Sequence, residues 1–157
     1  MRPNDATLTV NIPLSFDAPT QATCPTPTSL VDLAHHVASH LKPGDCVALS
    51  GDLGAGKTTF VRAVVTALHG DDPTTSPTFT FRHTYPGVPP IEHLDLYRLT
   101  TPEELPELGL EDAFNDESIT MVEWWEHAPA LLPMRRWAIA IRGAGDDTRH
   151  VTIWPPR

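Results

Sequence analysis

Residues 51–60 read GDLGAGKTTF, three glycines followed by a lysine and two threonines. Glycines at 51, 54 and 56 let the backbone turn tightly and aim several N–H groups at one anion. Lys57 can reach the β- and γ-phosphates of a polyphosphate as a point charge, and the Thr58 hydroxyl can bind the Mg²⁺ that bridges them. The spacing Gly-x-x-x-x-Gly-Lys-Thr therefore predicts a cradle for nucleotide phosphates.

The segments on either side of this stretch supply the context that such a cradle needs. The apolar run CVALS, residues 46–50, predicts a strand buried on both faces. KTTFVRAVVTALHG, residues 57–70, predicts a helix that ends at Gly70 and whose positive dipole end adds to the anion site. A glycine-rich turn that binds no phosphate would need motif, strand and helix to coincide by accident, so phosphate binding is favoured.

The motif leaves the nucleotide and its use to be decided by other residues. Guanine-specific members of the loop class normally carry an Asn-Lys-x-Asp element, which this sequence lacks. We therefore expect ATP rather than GTP. Hydrolases and kinases share the same cradle and metal, so the loop alone does not separate them.

Two carboxylates follow predicted strands downstream. Asp95 lies near the end of a strand predicted over Ile91–Leu96, where it could hold Mg²⁺ or orient a water molecule, or could simply cap the next turn. Glu123 emerges from the apolar strand that begins at Ile119, which suits metal coordination or water activation. Trp124 and Trp125 come next, and core packing is the alternative interpretation for both.

The segment between the loop helix and Asp95 predicts two strands around a turn rich in proline and glycine. The first spans Thr78–Tyr85. Ser76, Pro77 and Thr78 could form a mobile loop that senses the γ-phosphate through a hydroxyl group.

The remaining elements define the organisation of the chain. Residues 1–28 predict a strand, ATLTVNI, and an extended connector rich in proline and threonine, whereas residues 29–157 predict the catalytic domain, the whole being one domain. A helix is expected from Ser29, and a capping box is expected between Thr101 and Glu104. The fold class that follows is three-layer α/β with a mixed, mainly parallel central sheet.

The C-terminal region predicts an antiparallel edge hairpin from strands at about 136–142 and 149–154. Arg135, Arg136 and Arg142 could supply a phosphate-facing cation, although a solvated strand edge is the favoured interpretation.

Charge and hydropathy restrict the class of partner. The 157 residues include 20 acidic and 11 basic side chains, a net charge of −9. This balance opposes the attraction to phosphates that dominates unassisted binding of RNA or DNA. No signal pattern and no apolar run near 18 residues occurs, so we expect a cytoplasmic protein without membrane contact.

Four stretches in this order, GDLGAGKTTF, SPTFT, HLDLYRL and VEWWE, resemble the bacterial TsaE family, the small ATPases of tRNA threonylcarbamoyladenosine biosynthesis. The resemblance spans residues 29–153 and implies a domain like those of P-loop NTPases. It further implies a weak ATPase that acts with the TsaB and TsaD proteins in modifying adenosine 37 of tRNA. The tRNA would then be held by the partners.

Carried over by motif, the resemblance implies a set of site residues. Asp52, Leu53, Gly54, Ala55, Gly56, Lys57, Thr58 and Thr59 would wrap the phosphates of ATP. Thr58, Glu123 and Asp95 would hold Mg²⁺, with Lys57, Asp95 and Glu123 as the catalytic residues. Thr78 would belong to the switch-like loop, and Trp124 matches the family tryptophan beside the glutamate.

The sequence departs from the family pattern at two places. Trp125 stands where the family usually has proline, so the resemblance does not give the conformation of the local turn. Ser29 and Leu30 align where the family often has Glu-Thr, so an adenine or ribose contact is not transferred. Two alternative functions stay open: a small-molecule kinase, which would need an acceptor pocket, and a non-catalytic module in which ATP orders the loop over residues 76–79.

Overall fold

The computed structural model describes residues 18–70 and 80–157. The strands are β1 (Thr20–Cys24), β2 (Cys46–Ser50), β3 (Arg82–Tyr85), β4 (Ile91–Asp95), β5 (Ile119–Glu123), β6 (Trp137–Arg142) and β7 (Arg149–Trp154). The helices are α1 (Pro27–Ala38), α2 (Lys57–His69) and the single turn α3 (Leu105–Leu108), and short 3₁₀ turns follow Thr101, Leu110, Trp124 and Ala128.

The strands form one sheet in the order β1-β7-β6-β2-β5-β4-β3. The four central strands, β6, β2, β5 and β4, run parallel to one another, and the outer pairings are antiparallel. This arrangement confirms the predicted mixed, mainly parallel sheet. The antiparallel β6–β7 hairpin is also present, but it is not the edge of the sheet, because β1 pairs with β7 on its outer side.

The strand β1 lies within the stretch that the sequence predicts as an extended connector. Its alternating burial, with Ala22 and Cys24 facing the core, is that of a half-buried edge strand. Threonines are common in strands, and proline near the ends of β1 does not interrupt it. The predicted strand over residues 6–12 lies outside the described residues.

Helix α1 begins two residues earlier than predicted because of its cap. Thr26 is the N-cap residue, and its hydroxyl accepts from the Ser29 N–H at 3.1 Å while the Ser29 hydroxyl accepts from the Thr26 N–H at 3.0 Å. Pro27 occupies the first helical position, where its missing N–H is not needed. The helix ends at Ala38, before the predicted stop at residues 42–44.

Helices α1 and α2 cover one face of the sheet with the larger of two apolar clusters. The opposite face is covered by loops, α3 and the 3₁₀ turns, which bury residues such as Leu96, Leu110 and Leu132. The layers are therefore a helical layer, the sheet, and a layer of short turns. Because strand residues alternate between faces, His93, Asp95 and Glu123 share the face that α2 covers.

The predicted capping box at Thr101 is wrong. Thr101 precedes a 3₁₀ turn over Pro102–Glu104 and makes no capping bond with its side chain. The Glu104 carboxylate instead accepts a hydrogen bond from the Thr100 hydroxyl. Within the two described ranges, no helix is long and apolar enough to cross a membrane.

Candidate functional site

The connection from β2 to α2, residues 51–56, is rich in glycine and lies at the carboxyl end of the parallel strands. Together with the first residues of α2 it forms the segment called here the glycine-rich loop, residues 51–59. Gly56 is the N-cap of α2 with φ of 113°, and a Cβ placed there would lie 2.8 Å from Cδ2 of Leu30. A Cβ on Gly51 would lie 2.6 Å from the Ile141 carbonyl oxygen. A side chain at Gly51 would therefore clash with backbone, whereas at Gly56 the positive φ disfavours any side chain and the end of the Leu30 side chain would also have to move.

Lys57 is buried within this loop, with 5% of its surface exposed. Its ammonium group donates to the Gly51 carbonyl oxygen and lies 3.4 Å from that of Asp52. It also lies 3.8 Å from the ring centroid of Trp124, a cation–π distance. Burial lowers the pKa of Lys57, and nearby carboxylates, Glu123 first, oppose that shift.

Thr58 and Glu123 meet across the ends of α2 and β5. The Thr58 hydroxyl lies 2.9 and 3.0 Å from the two carboxylate oxygens of Glu123. On the other side, the Nε2–H of His93 donates to Oε2 of Glu123 at 2.5 Å. A carboxylate that is only 3% exposed is thus held by two side chains from different elements.

Asp95 stands beside Glu123, since the two residues are partners in the parallel register of β4 and β5. Its carboxylate accepts from the Tyr97 N–H at 3.0 Å, so Asp95 does cap the turn that follows β4. Burial raises the pKa of Asp95, an effect that the bond to Tyr97 opposes and the charge of Glu123 reinforces. The carboxylate also faces the pocket described next, so the two interpretations of Asp95 are compatible.

Lys57, Thr58, Asp95 and Glu123 line one pocket of about 500 Å³. Every residue predicted for the site between positions 52 and 59 lines it, together with Asp95, Glu123 and Trp124. Thr78 lies outside the described residues, as do Ser76 and Pro77. The pocket wall also includes Thr80, Phe81, Tyr97 and Arg98, which the sequence interpretation did not single out.

The two adjacent tryptophans have separate positions. Trp124 adopts the left-handed conformation with φ of 58° and lines the pocket, with its ring 5.0 Å from that of Tyr97. Trp125 turns away and donates from Nε1 to the Ser50 hydroxyl at 2.9 Å, and the Arg136 guanidinium lies 5.1 Å from its ring centroid. Trp125, at the position where the family usually has proline, therefore joins the turn after β5 to the last residue of β2.

Sequence reasoning missed two residues that hold the site together. His93 precedes Asp95 by two positions, so strand periodicity alone would have placed it on the same face. Arg149 donates to the Ala55 carbonyl oxygen at 2.8 Å, and no local pattern marks that contact because it spans 94 positions. Arg135, Arg136 and Arg142 do not line the pocket. Arg135 and Arg142 are exposed and Arg136 packs over Trp125, but β6 lies between β7 and β2, so these arginines do not mark an edge of the sheet.

The arrangement suits an anion with a hard cation beside it. Glycine N–H groups, the N-terminus of α2 and Lys57 provide positive potential at one end of the pocket. Thr58, Glu123 and Asp95 offer oxygen atoms, which Mg²⁺ prefers. In the parts of the chain described here, no group of three or more His, Cys, Asp or Glu residues could hold a metal. Mg²⁺ bound beside these oxygens would complete its coordination with oxygens of the anion or of water, as it commonly does.

Comparison with known proteins gives a consistent result. Residues 24–151 match the family model described as "Threonylcarbamoyl adenosine biosynthesis protein TsaE". Proteins named tRNA threonylcarbamoyladenosine biosynthesis protein TsaE from Bacillus subtilis and Haemophilus influenzae are 41% and 42% identical to this chain, covering 77% and 73% of it and 76% and 72% of their own lengths. The crystal structure of Bacillus subtilis YdiB superposes with a TM-score of 0.71 at 36% identity, over 87% of this chain and 84% of that one.

Proposed function

Because the chain belongs to the TsaE family, we propose that it is an ATPase of tRNA threonylcarbamoyladenosine biosynthesis that acts with TsaB and TsaD. It binds Mg-ATP and hydrolyses it slowly when alone. One observation carries the proposal: the Thr58 hydroxyl and the Glu123 carboxylate are in contact beside Lys57, at the mouth of a glycine-rich loop. A hydroxyl and a buried carboxylate so placed are the parts that hold Mg²⁺ at a nucleotide.

Each residue has a distinct task in this proposal. The N–H groups of the glycine-rich loop bind the phosphates, and Lys57 leaves its internal carbonyl partners to neutralise the β- and γ-phosphates. Thr58 and Glu123 hold Mg²⁺, which would neutralise charge on the transferring phosphate when bound. Asp95, fixed by Tyr97 N–H, assists by orienting water at the γ-phosphate side.

The partners in the proposal fit the charge of the chain. A net charge of −9 makes the chain a poor binder of tRNA by itself. TsaB and TsaD would hold the tRNA, and this chain would reach it indirectly. A protein with these partners would work in the cytoplasm.

The test compares the purified chain alone with the chain mixed with TsaB, TsaD and tRNA from the same source. Mg-ATP affinity, phosphate release and threonylcarbamoyl modification are measured in each sample. We expect ATP binding by the chain alone, and faster hydrolysis together with repeated rounds of modification in the complete mixture. Normal ATP binding without either effect would overturn the proposed pathway role, and no ATP binding would overturn the whole proposal.

Two variants and a control assign the residues in the same assay. Lys57→Ala should weaken ATP binding at least tenfold, whereas Glu123→Gln should retain ATP binding and lose most Mg²⁺-dependent hydrolysis. Glu117→Gln makes the same chemical change at an exposed position just before β5 and should behave as the wild type. Undiminished hydrolysis in Glu123→Gln would contradict its role. Transfer of the γ-phosphate to a small acceptor would instead favour a kinase.

A further inference from the structure

Arg149, the first residue of β7, contacts the backbone of the glycine-rich loop. Its Nε donates to the Ala55 carbonyl oxygen at 2.8 Å, and Nη2 lies 3.4 Å from the Gly54 carbonyl oxygen. The same guanidinium donates to the carbonyl oxygens of Gly145 at 2.9 Å and Asp147 at 2.5 Å. One half-buried side chain therefore connects the loop to the turn between β6 and β7.

The bond to Ala55 has a consequence for the next N–H group. The Ala55 carbonyl and the Gly56 N–H belong to one planar trans peptide, in which the two groups point in opposite directions. Gly56 lines the pocket, whereas Arg149 does not. The guanidinium thus holds the Ala55 carbonyl oxygen from outside the pocket lining, and the Gly56 N–H lies on the opposite side of the same peptide, in a residue that lines the pocket.

Two glycines at this end of the β6–β7 hairpin are closely packed. The Gly51 backbone packs against the Ile141 carbonyl oxygen, and a Cβ on Gly143 would lie 3.0 Å from Cδ of Arg149. The end of the β6–β7 hairpin is therefore packed closely on the loop. Arginine suits this place because its planar fork donates several hydrogen bonds in fixed directions, which lysine cannot do.

We propose that Arg149 is a positioning residue for the phosphates of a nucleoside diphosphate or triphosphate, acting through the Ala55 carbonyl oxygen to aim the Gly56 N–H at the anion. This inference rests on the proposed function, since it assumes that the loop binds phosphates. The loop N–H groups cradle the phosphates that ADP and ATP share. Loss of Arg149 therefore weakens the binding of ADP and the binding of ATP to a similar extent.

The test uses the full chain with Arg149→Ala, Arg149→Lys and a matched control, Arg142→Ala. Arg142 is an exposed arginine at the end of β6, so its replacement makes the same change in net charge near the same hairpin. Dissociation constants for Mg-ADP and Mg-ATP are measured together with urea unfolding. Amide hydrogen exchange over residues 53–56 is measured in the nucleotide-free proteins.

We expect exchange over residues 53–56 to become at least fivefold faster in both Arg149 variants, and both nucleotides to bind at least tenfold more weakly. Arg149→Lys keeps the charge and carries the test if Arg149→Ala does not fold. Arg142→Ala should match the wild type in both measurements. If Arg142→Ala also weakens nucleotide binding, and added salt removes the difference from the wild type, the inference is overturned in favour of a general charge effect.

Two further outcomes separate this inference from the proposed function. Unchanged exchange and unchanged nucleotide affinity in the Arg149 variants, with a wild type that binds ATP, would overturn the role of Arg149 and leave the ATPase proposal standing. A wild type that binds neither nucleotide would overturn the ATPase proposal and, with it, the phosphate-positioning role.

Discussion

At the scale of single residues, the centre of the site is a buried carboxylate with two partners. His93 is completely buried, and its Nδ1 has no hydrogen-bond partner among the described residues. Its Nε2–H is committed to Glu123, so the imidazole contributes to the site only through that bond and its packing.

Replacing His93 by alanine should lower the free energy of unfolding by about 2–4 kcal/mol, because it leaves a cavity and an unpaired carboxylate oxygen. Urea unfolding without nucleotide or Mg²⁺ measures the change. His150→Ala removes an exposed histidine on β7 and should change the stability by less than about 0.5 kcal/mol. Equal stabilities of the two variants would show that the buried pair contributes nothing to the fold.

Asp95→Asn should make the nucleotide-free protein more stable at neutral pH. The raised pKa of Asp95 means that the folded state binds the proton more tightly than the unfolded chain does. Wild-type stability therefore falls as pH rises from the ordinary aspartate pKa through the raised one, and asparagine, which cannot ionise, avoids this loss. Asparagine can still accept from the Tyr97 N–H.

Urea unfolding at several pH values, with a metal chelator present, measures this difference. The advantage of Asp95→Asn over the wild type should be largest near neutral pH and should shrink as the pH falls towards 4. A difference that stays constant with pH would contradict the assigned cause. In the proposed function the same variant hydrolyses ATP more slowly while still binding it.

At the scale of secondary-structure elements, α1 forms one wall of the glycine-rich loop. Leu30 in the first turn of α1 contacts the position where Gly56 would carry a side chain. The cap formed by Thr26 and Ser29 fixes where this turn begins, and therefore where Leu30 lies. Ser29 and Leu30, which align where the family often has Glu-Thr, therefore include a residue that packs against the glycine-rich loop in this chain.

Gly56→Ala should destabilise the protein more than Gly54→Ala does. Both glycines have positive φ, which costs alanine about 1–2 kcal/mol, but a Cβ on Gly54 meets nothing within 4 Å. The extra loss in Gly56→Ala comes from the contact with Leu30. Urea unfolding of the two variants, repeated in a Leu30→Ala background, should show the difference narrowing. If the difference in stability between Gly56→Ala and Gly54→Ala is the same in both backgrounds, the contact with Leu30 does not explain it.

At the scale of the whole molecule, the sheet joins parts of the chain that the sequence treats separately. Residues 20–24 supply an outer strand, and the core formed with α1 and α2 includes Ala22, Cys24, Val151 and Ile153. The segment before α1 is therefore part of the same folding unit as the site, at least from β1 onwards.

Ala22→Asp should lower the free energy of unfolding by about 2 kcal/mol or more, because it places a charge on the buried face of β1. Gln21→Asp introduces the same charge on the exposed face and should change it by less than about 0.5 kcal/mol. Urea unfolding of both variants, each followed as a single cooperative transition, measures the two free energies of unfolding. Similar stabilities would mean that β1 is dispensable for the fold.

The sequence by itself determined the elements that carry the site and most of its lining. Local patterns suffice for a glycine-rich loop between strand and helix, and for Glu123 at the end of an apolar strand. The parallel order of the central strands then brings Asp95 and Glu123 together at one edge, as parallel sheets do. The roles of Thr78, ATP and Mg²⁺ remain predictions.

Only the tertiary structure decided which distant residues support that site. The contacts of His93 with Glu123, Trp125 with Ser50 and Arg149 with Ala55 join positions 30, 75 and 94 residues apart. Such bonds depend on strand order and register, which hydrophobic periodicity does not encode. The same reason explains why the sequence predicts a connector where β1 forms: an edge strand is stabilised by its partner across the sheet, and that partner, β7, is more than 120 residues away along the chain.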